Sequence, residues 1–449
     1  MNTPRNHTKA HLANSRADIL EMLNSMGREH FEQLVSTIPS DLRSQASIEL
    51  PKGISEMEVL EQMERLAQQN RTYTAVLAGA GSYDHYIPAI VRHILMRPEF
   101  YTAYTPYQAE ISQGTLQAMY EFQTSVGLLT GMEVANASMY DGASALAEAS
   151  RMALNITRRQ RLLISEAVHP HYQNVIKTYL QGVDIELVQI PACQGRTDLA
   201  QLEAFLNDKV AGVIIQYPNF WGQIEPLDII RSLVRRHSNV QFIVSFYPIA
   251  AGMLRTPGEF DADIVTGEGQ PLGLPLNFGG PYLGLFATRQ KYIRRMPGRL
   301  AGRTIDAEGN PGYVLTLQTR EQHIKRDRAT SNICTNQGLM ALAALVYLAW
   351  LGKSGLTSVA RHSYAHAHYL AQRIGQLRGY SIRYAGPFFN EFVIDAPHPS
   401  GRVLEALQAE GFIGGIDLER WNRRGILVAT TEKHRKEILD RYVEVLKKL

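Results

Sequence analysis

DADIVTGEGQPLGLPLNFGGPYLGLFAT, residues Asp261 to Thr288, decides how the rest of the chain is read. A short apolar strand at Ile264 and Val265 ends in Gly267-Glu268-Gly269-Gln270. Pro271, Pro275 and Pro281 follow among Gly273, Gly279, Gly280 and Gly284, and a second apolar run goes from Leu283 to Ala287. Proline fixes φ and removes a backbone donor, while glycine permits positive φ and close approach, so the loop is a shaped surface rather than a slack linker. Loops of this kind, held between strands of an α/β sheet, are where ligand chemistry usually sits.

Upstream of this loop, from Arg161 to Ala287, short strands alternate with amphipathic helices. Leu162 to Ile164, Ile185 to Ile190, Ala211 to Gln216 and Phe242 to Phe246 read as strands, with helices at His171 to Leu180, Asp198 to Asn207 and Pro226 to His237. The pattern predicts a mostly parallel sheet covered on both faces. Downstream, from about Gly355, a second and smaller α/β unit is expected: a helix over Thr357 to Leu377, strands near Ser381, Glu391 and Ile426, and a charged final helix, Glu432 to Leu449. Residues up to about Arg71 read as a helical arm, with a capping box at Ser55 to Glu58. Such arms more often wrap a partner or the chain's own core than do chemistry. The expected organisation is therefore an arm over 1–71, a large α/β domain over 72–320, and a smaller α/β domain with its linking helix over 321–449.

Composition narrows the function classes. The 449 residues are 45% hydrophobic and 20% charged, ordinary for a soluble globular chain. A net charge of +3 with scattered Arg and Lys gives no footprint for nucleic acid. Cys193 and Cys334 have no metal-ligand spacing and read as reduced thiols of a cytoplasmic protein. The apolar run Leu339 to Leu351 falls short of the roughly 18 residues of a membrane span. It reads as a buried helix, and no membrane is expected. The N-terminus shows no apolar signal or transit pattern.

Several segments have the residue types of a ligand site. Gly79, Gly81 and Ser82 could cradle an anion, against the plainer reading of a tight turn. Tyr101, Tyr104 and Tyr107 surround Thr105-Pro106, and tyrosines so close together suit an interface or a wet cavity. Met139 to Gly142 opens an alanine-rich helix whose N-terminus would suit a phosphate. Asp141 sits at the cap, however, where it satisfies the free N–H groups itself and repels an anion, so a self-capped helix is expected. Thr330, Ser331 and Asn332 form a small polar cluster after the charge run Arg320 to Arg328, which reads as a solvated face.

Together the opening loop, YTPYQAEISQG (Tyr104 to Gly114), ANASMYDGASALAEA (Ala135 to Ala149) and REQHIKRDRATSNICT (Arg320 to Thr335) resemble the N-terminal, alpha-type subunit of the glycine cleavage system P-protein, a glycine decarboxylase, from about Ser15 onward. The resemblance implies the fold-type-I, aspartate-aminotransferase-like fold of pyridoxal-phosphate (PLP) enzymes. It also implies decarboxylation of glycine with transfer of the aminomethyl group to the lipoyl arm of the H-protein. The departures matter more than the match. Where the cofactor-bearing subunit has a His-Lys pair, this chain has Gly269-Gln270, with no lysine between Lys209 and Lys291, and an amide cannot form a Schiff base. Tyr247 stands where related sequences have the aspartate that pairs with the ring nitrogen. His169 matches the place of a histidine that stacks on the PLP ring, although a His pair in a loop more often lies at the surface or behind a site.

Asp141, Gly142, His169, Tyr247 and Gln270 thus mark a vestigial site with no catalytic residue, no metal and no covalently bound cofactor expected. PLP and its lysine are expected on a beta-type partner subunit. Ser82, Tyr104, Tyr107, Thr330, Ser331 and Asn332 are the candidates for the interface or for lining the partner's active site. Two rivals stand beside this reading. One is a self-sufficient PLP enzyme using another lysine, such as Lys177 or Lys325. The other is a structural or regulatory pseudoenzyme that contributes no residue to the active site.

Overall fold

The computed structural model describes residues 14–46 and 50–449. These form two units, divided between Thr72 and Tyr73. In the first, helices cover Arg16–Ser25, Ser40–Gln45 and Glu56–Gln68. Two of them start in the same way: Ser15 accepts from the Asp18 N–H and Ser55 from that of Glu58, while each acid's carboxylate accepts from the serine's own N–H. These reciprocal bonds satisfy donors that a helix start otherwise leaves free.

The second unit is built on a seven-stranded sheet. Its strands are β1 (Val134–Ala135), β2 (Arg161–Ser165), β3 (Glu186–Ile190), β4 (Val210–Tyr217), β5 (Gln241–Phe246), β6 (Ile264–Glu268) and β7 (Gly284–Thr288). They lie in the order β1-β7-β6-β5-β4-β2-β3. The five strands β2 to β6 run parallel, whereas β7 pairs antiparallel with β6 and with β1. Continuous runs such as VAGVII and QFIVSF are buried on both faces, as expected of parallel strands covered by helices. Helices Gly142–Thr157 and Pro170–Tyr179 pack with one face of the sheet. Helix Leu227–Arg235 and parts of Gln113–Thr130 and Gly338–Ile374 belong to the core on the other. The Pro- and Gly-rich stretch is the connection that turns β6 back into β7, so its start lies at the carboxyl ends of the parallel strands.

Beyond the sheet, β8 (Leu300–Ile305) and β9 (Pro311–Thr316) form a hairpin around the polar turn at Asp306–Asn310. A smaller antiparallel sheet follows: β10 (Ser381–Ile382), β11 (Glu391–Asp395), β12 (Ile416–Asp417) and β13 (Ile426–Ala429), in the order β10-β11-β13-β12. Ala75–Val76 pairs in parallel with Phe412–Ile413, so the first segment of this unit is tied to its C-terminal part.

The helix Gly338–Ile374 has the length and apolar composition of a membrane span. Its backbone breaks at Gly352 (φ 58°, ψ −172°), and its buried residues fall on both sides of the break. It packs against helices Ala89–Leu95, Gln113–Thr130 and Lys436–Lys447. The reading of Leu339 to Leu351 as wholly buried is corrected at one end, since Ala341–Ala344 and Tyr347 are buried but Trp350 is 65% exposed. The solvated reading of the charge run is corrected at its start: Arg320 and Glu321 are buried, whereas residues 322–328 are exposed. The final helix begins at Lys436 rather than Glu432, because residues 431–434 form a turn in which His434 Nδ1 accepts from the Thr431 N–H at 2.9 Å.

Candidate functional site

At the carboxyl end of β6 the strand delivers Glu268 into the interior, and the chain closes around it. Its carboxylate accepts from the N–H groups of Gly142 (2.9 Å), Gln270 (2.9 Å) and Leu283 (3.1 Å). Gly142 is the first residue of helix Gly142–Thr157, so a carboxylate occupies the helix N-terminus that would otherwise suit a phosphate. Asp141 caps the same helix, its Oδ1 accepting from the Ser144 N–H at 2.7 Å. Burial pushes Glu268 up to about 8, against the pull of its three N–H donors and with a further push from Asp141. Gly142 leaves no room for a larger group: a Cβ there would stand 2.7 Å from the Tyr172 hydroxyl and 3.0 Å from Glu268.

Gln270 is completely buried and fully bonded. Its Oε1 accepts from the Tyr83 N–H (2.8 Å), and its Nε2 donates to the carbonyls of Tyr83 (3.0 Å) and Leu274 (2.9 Å). The amide therefore clips two segments together, using donor and acceptor at once. An amine has no acceptor to offer when protonated.

Tyr247 follows the end of β5. Its hydroxyl lies 2.6 Å from His85 Nε2, and His85 Nδ1 lies 2.6 Å from Glu432 Oε2, giving a row of phenol, imidazole and carboxylate with the imidazole buried and its two neighbours half-buried. The Tyr247 ring also packs on Tyr83, with centroids 4.7 Å apart. Burial pushes the Tyr247 phenol well up, so it stays neutral.

His169 is buried rather than at the surface, the first of the two places its loop position suggests. Its Nδ1 accepts from the His171 N–H, which leaves Nε2 to donate to the Ala80 carbonyl at 2.9 Å. Burial drives its pKa down to about 4, so the ring is neutral. Tyr172 stacks on it at 4.8 Å with the rings 16° from parallel. One face of the imidazole is thus taken by a neighbour from the same helix.

The Gly79 to Ser82 turn receives a carboxyl group from the chain itself. Glu391, at the start of β11, accepts from the Ala80 N–H (2.7 Å) and from the Tyr83 hydroxyl (2.9 Å). A Cβ at Gly79 would stand 2.2 Å from its Oε1, so glycine is required for that approach. Burial pushes Glu391 up to about 7. Ser82 is half-buried beside this turn. The space left among Gly81, Tyr83, Tyr172, Tyr247, Glu268 and Glu391 is about 30 Å³, room for a water or two. Ligand pockets commonly reach about 300 Å³ or more. The residues here do not fit PLP: no amine stands in the loop, the Gly142 and Ser144 N–H groups at the helix start are taken, and the volume is far too small. Lys177 and Lys325 are exposed and do not line the cavity. Among the described residues no group of three or more His, Cys, Asp or Glu side chains is placed to hold a metal.

The remaining candidates assemble elsewhere. Tyr104 is 85% exposed and, with Phe100, Pro106, Thr335, Asn336 and Leu342, lines a second cavity of about 260 Å³. Tyr107 is half-exposed. Thr330 and Ser331 line a narrow crevice with Arg299, Arg320 and Glu321, and the Ser331 hydroxyl donates to Glu148 at 2.6 Å. Asn332 is exposed and lines neither cavity. The structure thus separates the Gln270 group from the Tyr104 group. Sequence reasoning missed Glu268, Glu391, His85, Glu432 and Arg299 as site residues. The one local signal was acidic residues lying against apolar strand sequence, in IVTGE and EFVID.

Comparison with known proteins fits this picture. The family profile described as "Glycine cleavage system P-protein" matches residues 9–446. A relative in Prosthecochloris aestuarii, named "Probable glycine dehydrogenase (decarboxylating) subunit 1", is 50% identical over 97% of this chain and 98% of its own length. One of the same name in Desulfitobacterium hafniense is 50% identical over 94% of this chain and 96% of its own. A crystal structure of glycine decarboxylase (P-protein) of the glycine cleavage system, in inhibitor-bound form, superposes with a TM-score of 0.89 at 41% identity, covering 97% of this chain and 99% of that one. Glutamate decarboxylase from Lactobacillus brevis, at 14% identity and a TM-score of 0.67 over 90% of this chain and 94% of that one, shares the fold alone. The scaffold is that of the fold-type-I PLP enzymes, and the chain belongs to the glycine cleavage system P-protein family, with relatives of the subunit 1 type.

Proposed function

We propose that this chain is the subunit of a cytoplasmic glycine decarboxylase that carries no PLP of its own. The cofactor and its lysine sit on a beta-type partner subunit, where glycine loses CO2 and the aminomethyl group passes to the lipoyl arm of the H-protein. The observation that carries this reading is the filled pocket: Glu268 holds the helix N-terminus and Gln270 replaces the amine, each with its hydrogen bonds satisfied within the chain. PLP supplies the electron sink of the reaction when bound to the partner. This chain's own part is to shape and cover the partner's site. Tyr104, Tyr107 and the walls of the 260 Å³ cavity are the surface offered for that purpose. An exposed aromatic beside an apolar cavity with a polar rim has the character of an interface anchor.

The test is reconstitution. The purified chain alone should show no glycine–bicarbonate exchange, and mixing it with a lysine-bearing beta-type chain should produce it. Tyr107→Ala should weaken assembly by about 1–2 kcal/mol, lower turnover, or both. Complex mass measured beside exchange rate tells which. Exchange by the single chain would overturn the reading.

A further inference from the structure

Away from the filled pocket, the two segments Tyr101–Gly114 and Arg320–Thr335 are held together by one buried cation. Arg299 lies just before β8 and is 3% exposed. Its Nη2 donates to the Tyr107 hydroxyl at 2.8 Å, and its guanidinium carbon lies 5.1 Å from the centre of the Tyr107 ring. On its other side, Nε lies 3.4 Å from Oε2 of the buried Glu321. His323, two residues further on, sets its ring 5.1 Å from that of Tyr107. The Tyr107 N–H donates to the Thr105 carbonyl at 2.9 Å, so the phenol is the far end of the turn that presents Tyr104 and Pro106 to the larger cavity.

Charge balance separates the two contacts of Arg299. A buried guanidinium needs a counter-charge, and Glu321 provides it. The Tyr107 hydroxyl accepts a hydrogen bond on the other side of the guanidinium from that counter-charge, so this second contact fixes where the ring stands. Arginine can serve both because its planar, delocalised guanidinium sets its charge beside Glu321 while Nη2 donates in a fixed direction, whereas a lysine ammonium acts as a point charge. We propose that Arg299 is a positioning residue of the assembled enzyme: through the Tyr107 phenol it holds the Thr105–Pro106 turn in the arrangement that the complex uses for turnover. The inference rests on the reading above that this turn faces the partner subunit.

The experiment uses the reconstituted complex and four versions of this chain: unaltered, Arg299→Lys, Tyr107→Phe, and the double variant. Arg299→Lys keeps the charge beside Glu321, and Tyr107→Phe removes only the hydroxyl. Each single variant should lower kcat for glycine–bicarbonate exchange by about tenfold, with KM for glycine and complex mass unchanged. Because both act through one contact, the double variant should fall within about twofold of the worse single variant. Multiplied losses, or full activity in Arg299→Lys, would overturn the proposal. Tyr104→Ala provides the separation from the underlying reading. If it lowers rate or assembly while Arg299→Lys does neither, the positioning role fails and the partner-facing turn stands. If Tyr104→Ala and Tyr107→Ala are both silent in rate and assembly, the partner-facing turn fails, and the positioning role fails with it.

Discussion

Replacing Gln270 by lysine restores the residue type that PLP chemistry requires, yet the structure predicts a damaged protein rather than a repaired site. The amide makes three bonds from a fully buried position. A protonated lysine can still donate to the Tyr83 and Leu274 carbonyls, but the Tyr83 N–H loses its acceptor and a charge is buried. A neutral amine keeps a lone pair for that N–H, and holding it neutral at pH 8, some two units below its ordinary pKa, costs about 3 kcal/mol. A loss of about 3 kcal/mol is a large part of an ordinary domain's stability. For a unit as long as Tyr73 to Leu449, melting should come about 4 °C earlier. Scanning calorimetry measures this. Incubation with PLP, borohydride reduction and peptide mass analysis should find no cofactor mass at position 270. Melting within about 1 °C of the unaltered chain, or stoichiometric labelling of the new lysine, would refute the account of a filled site.

The neighbouring carboxylates give two further tests. Glu268→Ala strips the acceptor from the N–H groups of Gly142, Gln270 and Leu283 and should lower stability by about 3 kcal/mol or more, read by calorimetry. Glu391 has a folded pKa of about 7 against an ordinary 4.5, so between those values the folded chain holds the extra proton and stability falls as pH rises. Glu391→Gln, similar in shape but without that proton, should flatten the decline between about pH 5 and 7, by up to about 3 kcal/mol. A pH series of melting curves shows whether the slope becomes shallower, the part due to Glu268 remaining.

How far the sequence could be read depended on how local the cause was. Most strands of the large sheet are legible because each is a compact apolar run, the two-residue strand Val134–Ala135 excepted, and Asp141 is legible as a cap because its acceptor and donor are three residues apart. Glu268 was not, since the N–H it fills belongs to Gly142, 126 positions earlier. Glu391 binds a turn 311 positions away, and no local pattern announces such a partner. Tyr247 is legible as a phenol after an apolar strand, but its tie to His85 and Glu432 depends on three remote segments meeting. The charge run misled for the same reason: Arg320 looks solvated until the carbonyls of Met296, Gly298 and Leu317 are seen to surround its guanidinium.

The segment from Ala75 to His85 has a mechanical consequence. It leaves the pairing with Phe412–Ile413, passes its Ala80 N–H and Tyr83 hydroxyl to Glu391 of the small sheet, gives its Tyr83 backbone to Gln270 of the large one, and ends with His85 between Tyr247 and Glu432. Gly222, from the large-sheet side, lies so close to Glu391 that a Cβ would stand 1.8 Å from its carbonyl oxygen. One short strap is thus riveted alternately to both sheets, and the seam between them has little freedom to gape and shut. Joined in this way, the two sheets make a stiff frame.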